Sequence, residues 1–320
     1  MRDGRTAGRQ DGSDQSILAV LPTCRPSVLI IANPTAGRGR ARGIAVEAAR
    51  RLEARGLEVA LERTDGPGHA RELAAGAVRE GTAGRLLVVG GDGTVSECAA
   101  GLARTNVALG ILPCGRGNDL AAALGIPREL GRALEVFQGG SERQIDLGLV
   151  NGRPFCTVAG IGFDAHVAER VRAGAWRALG GWAYTAGVLA HLFTWRTPAM
   201  RLEGDFGVVE GRFLLAAVSN TGRYGGGIEI APGSRPDDGA LDCCLVRDGP
   251  RLRLLRIFPT VFGGRHVRFP EVEMRRTCRL VVEADRPLPI VADGEPVGTT
   301  PATLGVDPLA VRVVVPRAGG

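Results

Sequence analysis

The sequence predicts an α/β domain on a parallel, Rossmann-like sheet, followed by an antiparallel β-sandwich that a helical interlude interrupts. Three observations predict it. From Ser27 to about Gly140, apolar runs of strand length alternate with helical patterns, as in a parallel sheet with crossover helices. Glycine-rich turns follow the strands of this half directly. Beyond residue 140, short strands and turn residues dominate, the pattern of a sandwich. The expected organisation is a poorly ordered arm at 1–26, the α/β domain at 27–140 and the sandwich at 141–320, with the last residues packing back on the first domain.

In order, SVLIIAN (27–33) reads as a buried strand, PTAGRGRARG as a turn, Ile44 to Arg55 as a helix and LEVALERT (57–64) as a second strand. Gly68 to Glu80 has helical spacing, GRLLVVG (84–90) is a third strand, Val95 to Arg104 a helix and ALGILP (108–113) a fourth strand. The sandwich strands are expected within 144–160, 201–220, 241–248, 277–295 and 309–316, with one helical interlude from Ala165 to Trp195 and further helical turns around Arg251 to Phe262.

Net charge is +6, and all 40 basic residues are arginine. The absence of lysine excludes a P-loop, a protein-kinase-type strand lysine and Schiff-base chemistry. The basic balance suits anionic nucleotides and membrane surfaces, while arginines spread along the whole chain argue against a nucleic-acid patch. Seven cysteines without a CxxC pair indicate neither a disulfide framework nor a zinc site, which fits a cytoplasmic protein. The apolar piece Ile17 to Leu21 is too short for a signal peptide. The stretch Ala183 to Trp195 is too short for the roughly 20 residues of a membrane span, so membrane contact is expected to be peripheral.

Gly90-Gly91-Asp92-Gly93-Thr94 follows the third strand and precedes a helix. Such a turn brings backbone N–H groups and a helix N-terminus close to an anion, so phosphate is the expected ligand. Asp92 would repel a bare phosphate, and makes sense if Mg2+ lies between them. Four further segments stand out: Ile31 to Ala41, Leu112 to Ala121, Ser219 to Asp242 and Val291 to Val297. The first two also follow strands of the parallel sheet, the edge where open α/β sheets collect ligands.

Five motifs in this order resemble the diacylglycerol kinase catalytic-domain family in its soluble bacterial lipid-kinase branch: NPTAG at 33–37, GGDGT at 90–94, PxGxxND at 113–119, GGG through DGxLD at 225–242 and DGE at 293–295. The resemblance covers nearly all of the chain from Ser27 onward. It implies transfer of the γ-phosphoryl group of ATP to a lipid hydroxyl, with 27–140 binding nucleotide and 141–320 binding lipid. It places Asn33, Pro34, Thr35, Ala36, Gly37, Thr64, Gly90, Gly91, Asp92, Gly93, Thr94, Val95, Ser96, Arg116, Asn118 and Asp119 around ATP. It gives Mg2+ to Asp92 with Asp119, and the general base to Glu295, with Asp92 as the competing base. A second, structural Mg2+ is implied at Asp238 with the backbone carbonyls of Arg235 and Ala240. Two departures stand out: Arg116 occupies a place where the family usually has Thr, and Ala36 one that is often Ser.

The resemblance makes diacylglycerol the expected acceptor, with a sphingoid base or ceramide as alternatives, and NAD kinase or an inactive lipid- or nucleotide-binding protein further off. It implies a lipid partner at the inner face of the membrane and admits a homodimer. Gly160 to Ala165 fits GxGxxA, but no acidic residue stands between Arg170 and Leu202 to hold a ribose; it reads as a structural turn. His69, His166, His191 and His266 lack metal-ligand spacing. Trp176, Trp182, Tyr184, Leu189, Leu192, Phe193 and Trp195 form an apolar stripe, read either as core or as a wall for acyl chains with Arg170, Arg172, Arg177 and Arg196 near headgroups.

Overall fold

The computed structural model describes residues 27–176, 179 and 182–317. The expected arm at 1–26 and Arg177 lie outside the described residues. The first domain runs β1 (Val28–Ala32), α1 (Arg40–Glu53), β2 (Val59–Arg63), α2 (His69–Glu80), β3 (Arg85–Gly90), α3 (Asp92–Leu102), β4 (Ala108–Pro113), α4 (Asp119–Ala123) and α5 (Leu130–Gly139). Its strands pair in parallel in the order β2-β1-β3-β4. Alternate residues explain the burial of this sheet on both faces. Leu29, Ile31, Leu86 and Val88 pack against α2 and α3, while Val28, Ile30, Leu87 and Val89 pack against α1 and α5.

Two helices begin earlier than their apolar spacing predicts. Helix α1 starts at Arg40 instead of Ile44, and α3 at Asp92 instead of Val95. Glycines and charges there hide the pattern, yet an aspartate in a first turn complements the helix dipole. Helices α4 and α5 were not expected; Glu129 caps α5 by accepting from the Gly131 N–H at 3.2 Å.

The remainder runs β5 (Ser141–Val150), β6 (Arg153–Phe155), β7 (Val158–Gly162), α6 (Phe163–Arg172), α7 (Ala183–His191), β8 (Ala199–Gly204), β9 (Gly207–Ser219), β10 (Arg223–Tyr224), β11 (Ile228–Glu229), β12 (Leu241–Arg247), α8 (Arg251–Ile257), β13 (Val272–Thr277), β14 (Arg279–Ala284), β15 (Pro289–Ala292), β16 (Glu295–Thr299) and β17 (Ala302–Val315). Among the described residues the interlude holds α6 and α7; Trp176, at φ 57, lies between them. Strand β9 serves both layers of the sandwich. Its first half pairs with β8 and its second half with β7 and β12. The core between the layers contains Phe155, Ile161, Phe213, Val218, Leu245 and Ile290, and α6, α7 and α8 cover the outer face of the β7-β9-β12 layer.

Strand β17 joins the two halves. Its end pairs with β4 in parallel at Val313 and Leu109 and with β5 antiparallel. The parallel sheet therefore continues into the sandwich, and the loops of both meet over the C-terminal ends of β3 and β4.

Candidate active site

The site begins with two turns in close contact. After β3, Gly91 leads into α3; after β4, Gly115 lies against it, and a Cβ on Gly115 would come within 2.7 Å of the Gly91 Cα. Only glycine permits this approach. It lets the second turn reach Asp92, whose Oδ2 accepts the Asn118 N–H at 2.7 Å and whose Oδ1 accepts the Asp119 N–H at 2.5 Å. Asn118 adopts the left-handed conformation, φ 57, and its side chain clamps the turn by accepting from the Gly115 N–H and donating to the Gly115 carbonyl. Arg128 donates to the Gly117 carbonyl at 2.5 Å from the outside.

Asp119 opens α4 and reaches across to the second domain, where its carboxylate accepts the Gly226 N–H at 2.9 and 3.2 Å. Gly117 sits between the two acids, with room for no side chain: a Cβ there would be 2.7 Å from Asp92 Oδ2 and 2.9 Å from Asp119 Oδ2. Burial raises the pKa of Asp92, against the pull of its two N–H donors. Asp119 is pushed up to about 6 by burial and then by the charge of Asp92, with the Gly226 N–H opposing.

Asp293 adds to both shifts, and the sequence reading gave it no role. At φ 50 it leaves β15 with its carboxylate turned inward. Its Oδ2 accepts from Ser96 Oγ and the Cys156 N–H, each at 2.6 Å, and its Oδ1 from the Thr157 N–H and hydroxyl. The only signal in the sequence was its place in an Asp-Gly turn beside Glu295. Glu295 itself stands at the start of β16 on the surface, ion-paired with Arg172 of α6.

The NPTAG turn closes the other side. Asn33 donates to Thr94 Oγ1 at 3.1 Å and accepts from the Thr35 N–H and hydroxyl. Pro34 and Ala36 are half-buried and Thr35 is exposed. Gly37, at φ 61, touches the Cys114 carbonyl so closely that a Cβ would come within 2.6 Å. Thr64 is buried at the end of β2 and donates its N–H to the Ala32 carbonyl. Two assigned side chains point elsewhere. Val95 is buried in the core and Ser96 is taken by Asp293, so both can offer a ligand only their backbone. Arg116 is exposed at the tip of its turn.

Among the described residues no group of three or more His, Cys, Asp or Glu is arranged to hold a metal. Asp92 and Asp119 nonetheless suit Mg2+: both are hard oxygen donors, Asp119 buried and Asp92 half-buried, and the charge of Asp92 raises the cost of ionising Asp119. Mg2+ is often held by one or two carboxylates, with phosphate and water completing the shell. Asp238 fits a cation poorly. It already carries the Arg276 guanidinium at 2.6 Å and accepts from the Ala240 N–H at 3.3 Å, so a metal bound with the Arg235 and Ala240 carbonyls would have to displace Arg276. Neighbouring Asp237 pairs with Arg143 at 2.7 Å. The GxGxxA segment is the turn between β7 and α6, with Asp164 buried. His266 is buried against the Ile230 carbonyl, and His166 and His191 pack edge to face with ring centroids 5.1 Å apart.

Residues 27–150 match the diacylglycerol kinase catalytic domain, and residues 157–315 the YegS C-terminal NAD kinase beta sandwich-like domain. A diacylglycerol kinase of Mycobacterium tuberculosis (strain ATCC 25618 / H37Rv) is 38% identical over 301 residues, covering 91% of this chain and 96% of that one. A diacylglycerol kinase of Bacillus subtilis (strain 168) is 30% identical, covering 90% and 96%. The crystal structure of a putative diacylglycerol kinase from Bacillus anthracis str. Sterne superimposes with TM-score 0.73 at 23% identity, covering 91% of this chain and 97% of that one, and supports the fold. The two-domain fold with its acidic glycine turns defines a lipid kinase. The chain belongs to the diacylglycerol kinase catalytic-domain family.

Proposed function

We propose that the enzyme transfers the γ-phosphoryl group of ATP to the free hydroxyl of diacylglycerol at a membrane surface, giving phosphatidic acid. The pair of carboxylates, half-buried Asp92 and buried Asp119, tied to glycine turns from both domains, carries this reading. Phosphoryl transfer needs positioning and charge neutralisation more than covalent chemistry. The turns at 33–37, 90–94 and 115–118 and the N-terminus of α3 offer N–H groups to the phosphates, and the exposed Arg116 adds a positive charge beside them. Mg2+ held by Asp92 and Asp119 would neutralise the phosphate oxygens. Glu295 accepts the proton of the attacking hydroxyl once Arg172 has released it.

Relatives named diacylglycerol kinase support this acceptor over a sphingoid base or ceramide. Peripheral contact at the inner face of the membrane is supported by the exposed Trp182, Leu189 and Phe193, at 73%, 48% and 55%, and by the exposed Arg170, Arg172 and Arg196 nearby in sequence. No helix of the described residues is long and apolar enough to cross a membrane. In the same layer Tyr184, Leu192 and Trp195 pack inward, so the stripe serves partly as core. The test is a panel of diacylglycerol, ceramide, sphingosine and NAD, each offered with labelled ATP. Label in phosphatidic acid at the highest kcat/KM is expected; preferential labelling of NAD or of a sphingoid base would replace this reading.

A further inference from the structure

Residues 251–270 include five arginines and no acidic residue. They fold as α8 and two 3-10 turns, Phe258–Gly263 and Arg265–Arg268. One side of the segment is core. Leu254 and Ile257 are buried, Phe258 and Val261 pack on the same cluster, and the buried His266 meets the Ile230 carbonyl at 2.9 Å. Gly264, at φ 64, lies so close to Pro232 that a Cβ would come within 2.6 Å of its ring. The segment is therefore a fixed platform on the outer helical layer.

Its other side combines exposed apolar and cationic groups. Leu252 and Phe262 are 71% and 50% exposed. Arg251 and Arg253 are paired with Asp248 and Glu271. Arg256, Arg265 and Arg268 are exposed and, among the described residues, carry no ion pair. On the neighbouring strands the arginines are paired, Arg247 and Arg275 with Glu273 and Arg276 with Asp238. Free cations set around large apolar side chains fit a surface that supplies both anions and hydrocarbon, as an anionic bilayer does. A soluble anion would leave Leu252 and Phe262 in water.

We infer that residues 251–268 dock the enzyme on anionic phospholipid, with Leu252 and Phe262 entering the interface and Arg256, Arg265 and Arg268 meeting the headgroups. The inference rests on the proposed membrane-borne substrate and specifies the surface that meets it. Phe262 also sets the orientation. A Cβ on Gly227 would lie 4.0 Å from its Cδ1, and the adjoining Gly226 N–H is the one accepted by Asp119. The ring of Phe258 bridges Phe262 and Tyr184 of α7, with centroids 6.0 and 6.5 Å away, so this platform and the apolar residues of α7 belong to one layer. Docking at Phe262 brings the phosphate turn to the plane in which a lipid hydroxyl lies.

Sedimentation of the full chain with vesicles of phosphatidylcholine, with and without phosphatidylglycerol, tests this independently of catalysis. The wild type should bind the charged vesicles well and the neutral ones weakly. Arg256→Gln, Arg265→Gln and Arg268→Gln combined should weaken binding to charged vesicles roughly fivefold per arginine, on the order of 100-fold in all, with Tm unchanged. Phe262→Ser should weaken it about tenfold, the scale of one apolar side chain kept out of the interface. The control combines Arg55→Gln, Arg71→Gln and Arg79→Gln, all exposed on the first domain. It removes the same charge and should change binding little, since charges beyond about 10 Å are screened. Activity on a water-soluble short-chain diacylglycerol should stay at the wild-type level in both triple variants, while kcat/KM in charged vesicles falls only in the first. Equal losses of binding in the two triple variants, no loss in either, or equal binding of the wild type to both kinds of vesicle overturns the inference alone. Binding that depends on Arg256, Arg265 and Arg268, with no diacylglycerol phosphorylated, overturns the proposed reaction and supports the docking surface.

Discussion

Asp293 and Ser96, 197 positions apart in the chain, are hydrogen-bonded at 2.6 Å. The bond ties the sandwich to the helix that carries Asp92, and the same carboxylate satisfies Cys156 and Thr157. The two domains therefore meet through an acid whose partners come from both, beside the two acids of the proposed phosphate site.

Asp293→Ala should leave those donors without an acceptor. Each unmet buried donor costs about 1–3 kcal/mol, so Tm should fall by several degrees and kcat should fall with it, while Asp293→Asn, which keeps one acceptor oxygen, should be milder. Thermal melts and single-substrate kinetics check this. An alanine variant with wild-type Tm would show that these hydrogen bonds do not stabilise the fold.

Gly117→Ala tests the packing of the acids directly. Gly117 is not at positive φ, so alanine meets no backbone penalty, only the Asp92 and Asp119 oxygens. The KM for Mg2+-ATP should rise at least tenfold with a small change in Tm. An unchanged KM would mean that the two carboxylates do not act together on the nucleotide.

Asp119 makes stability depend on pH. Its folded pKa, about 6, lies above its usual 3.8, so its contribution to the metal-free fold is complete below about pH 4 and is lost as the pH rises through 6. In EDTA, the Tm of the wild type should fall over that window relative to Asp119→Asn, and Mg2+ should restore it above pH 6. Parallel Tm curves for the two proteins would contradict the assignment.

Arg172→Gln should free Glu295. An exposed ion pair is worth about 0–1 kcal/mol, so Tm should barely move, while kcat with a water-soluble short-chain diacylglycerol should rise by up to about fivefold, the equivalent of that energy. A fall in kcat would make Arg172 part of the productive site instead of a partner that Glu295 must leave.

Much of this was legible in the sequence. Strands β1, β3 and β4 are buried on both faces, so their apolar runs stand out, and the glycine turns after them follow from local composition. The starts of α1 and α3 are hidden because the residues that open them are glycines and charges outside the core. The break after α6 includes Gly174 and Trp176 at positive φ, which no periodicity reveals. Asp293 was missed because its role rests on partners 136 to 197 positions away. Glu295 was read as a base from its motif, whereas its pairing with Arg172 arises only when β16 and α6 meet.

The central claim is that Asp92, at the head of α3, organises phosphoryl transfer from ATP to a lipid hydroxyl. The direct measurement compares wild type and Asp92→Asn with γ-labelled ATP, Mg2+ and diacylglycerol vesicles, following label into phosphatidic acid. Asparagine keeps the size of the side chain but loses its charge and sets an NH2 against a backbone N–H, so the rate should drop on the order of 10²- to 10³-fold, the scale of removing a preorganised electrostatic group, with Tm lowered by a few degrees for the one unmet donor. Label entering phosphatidic acid at equal rates in the two proteins, or entering no lipid with the wild type, would contradict the account.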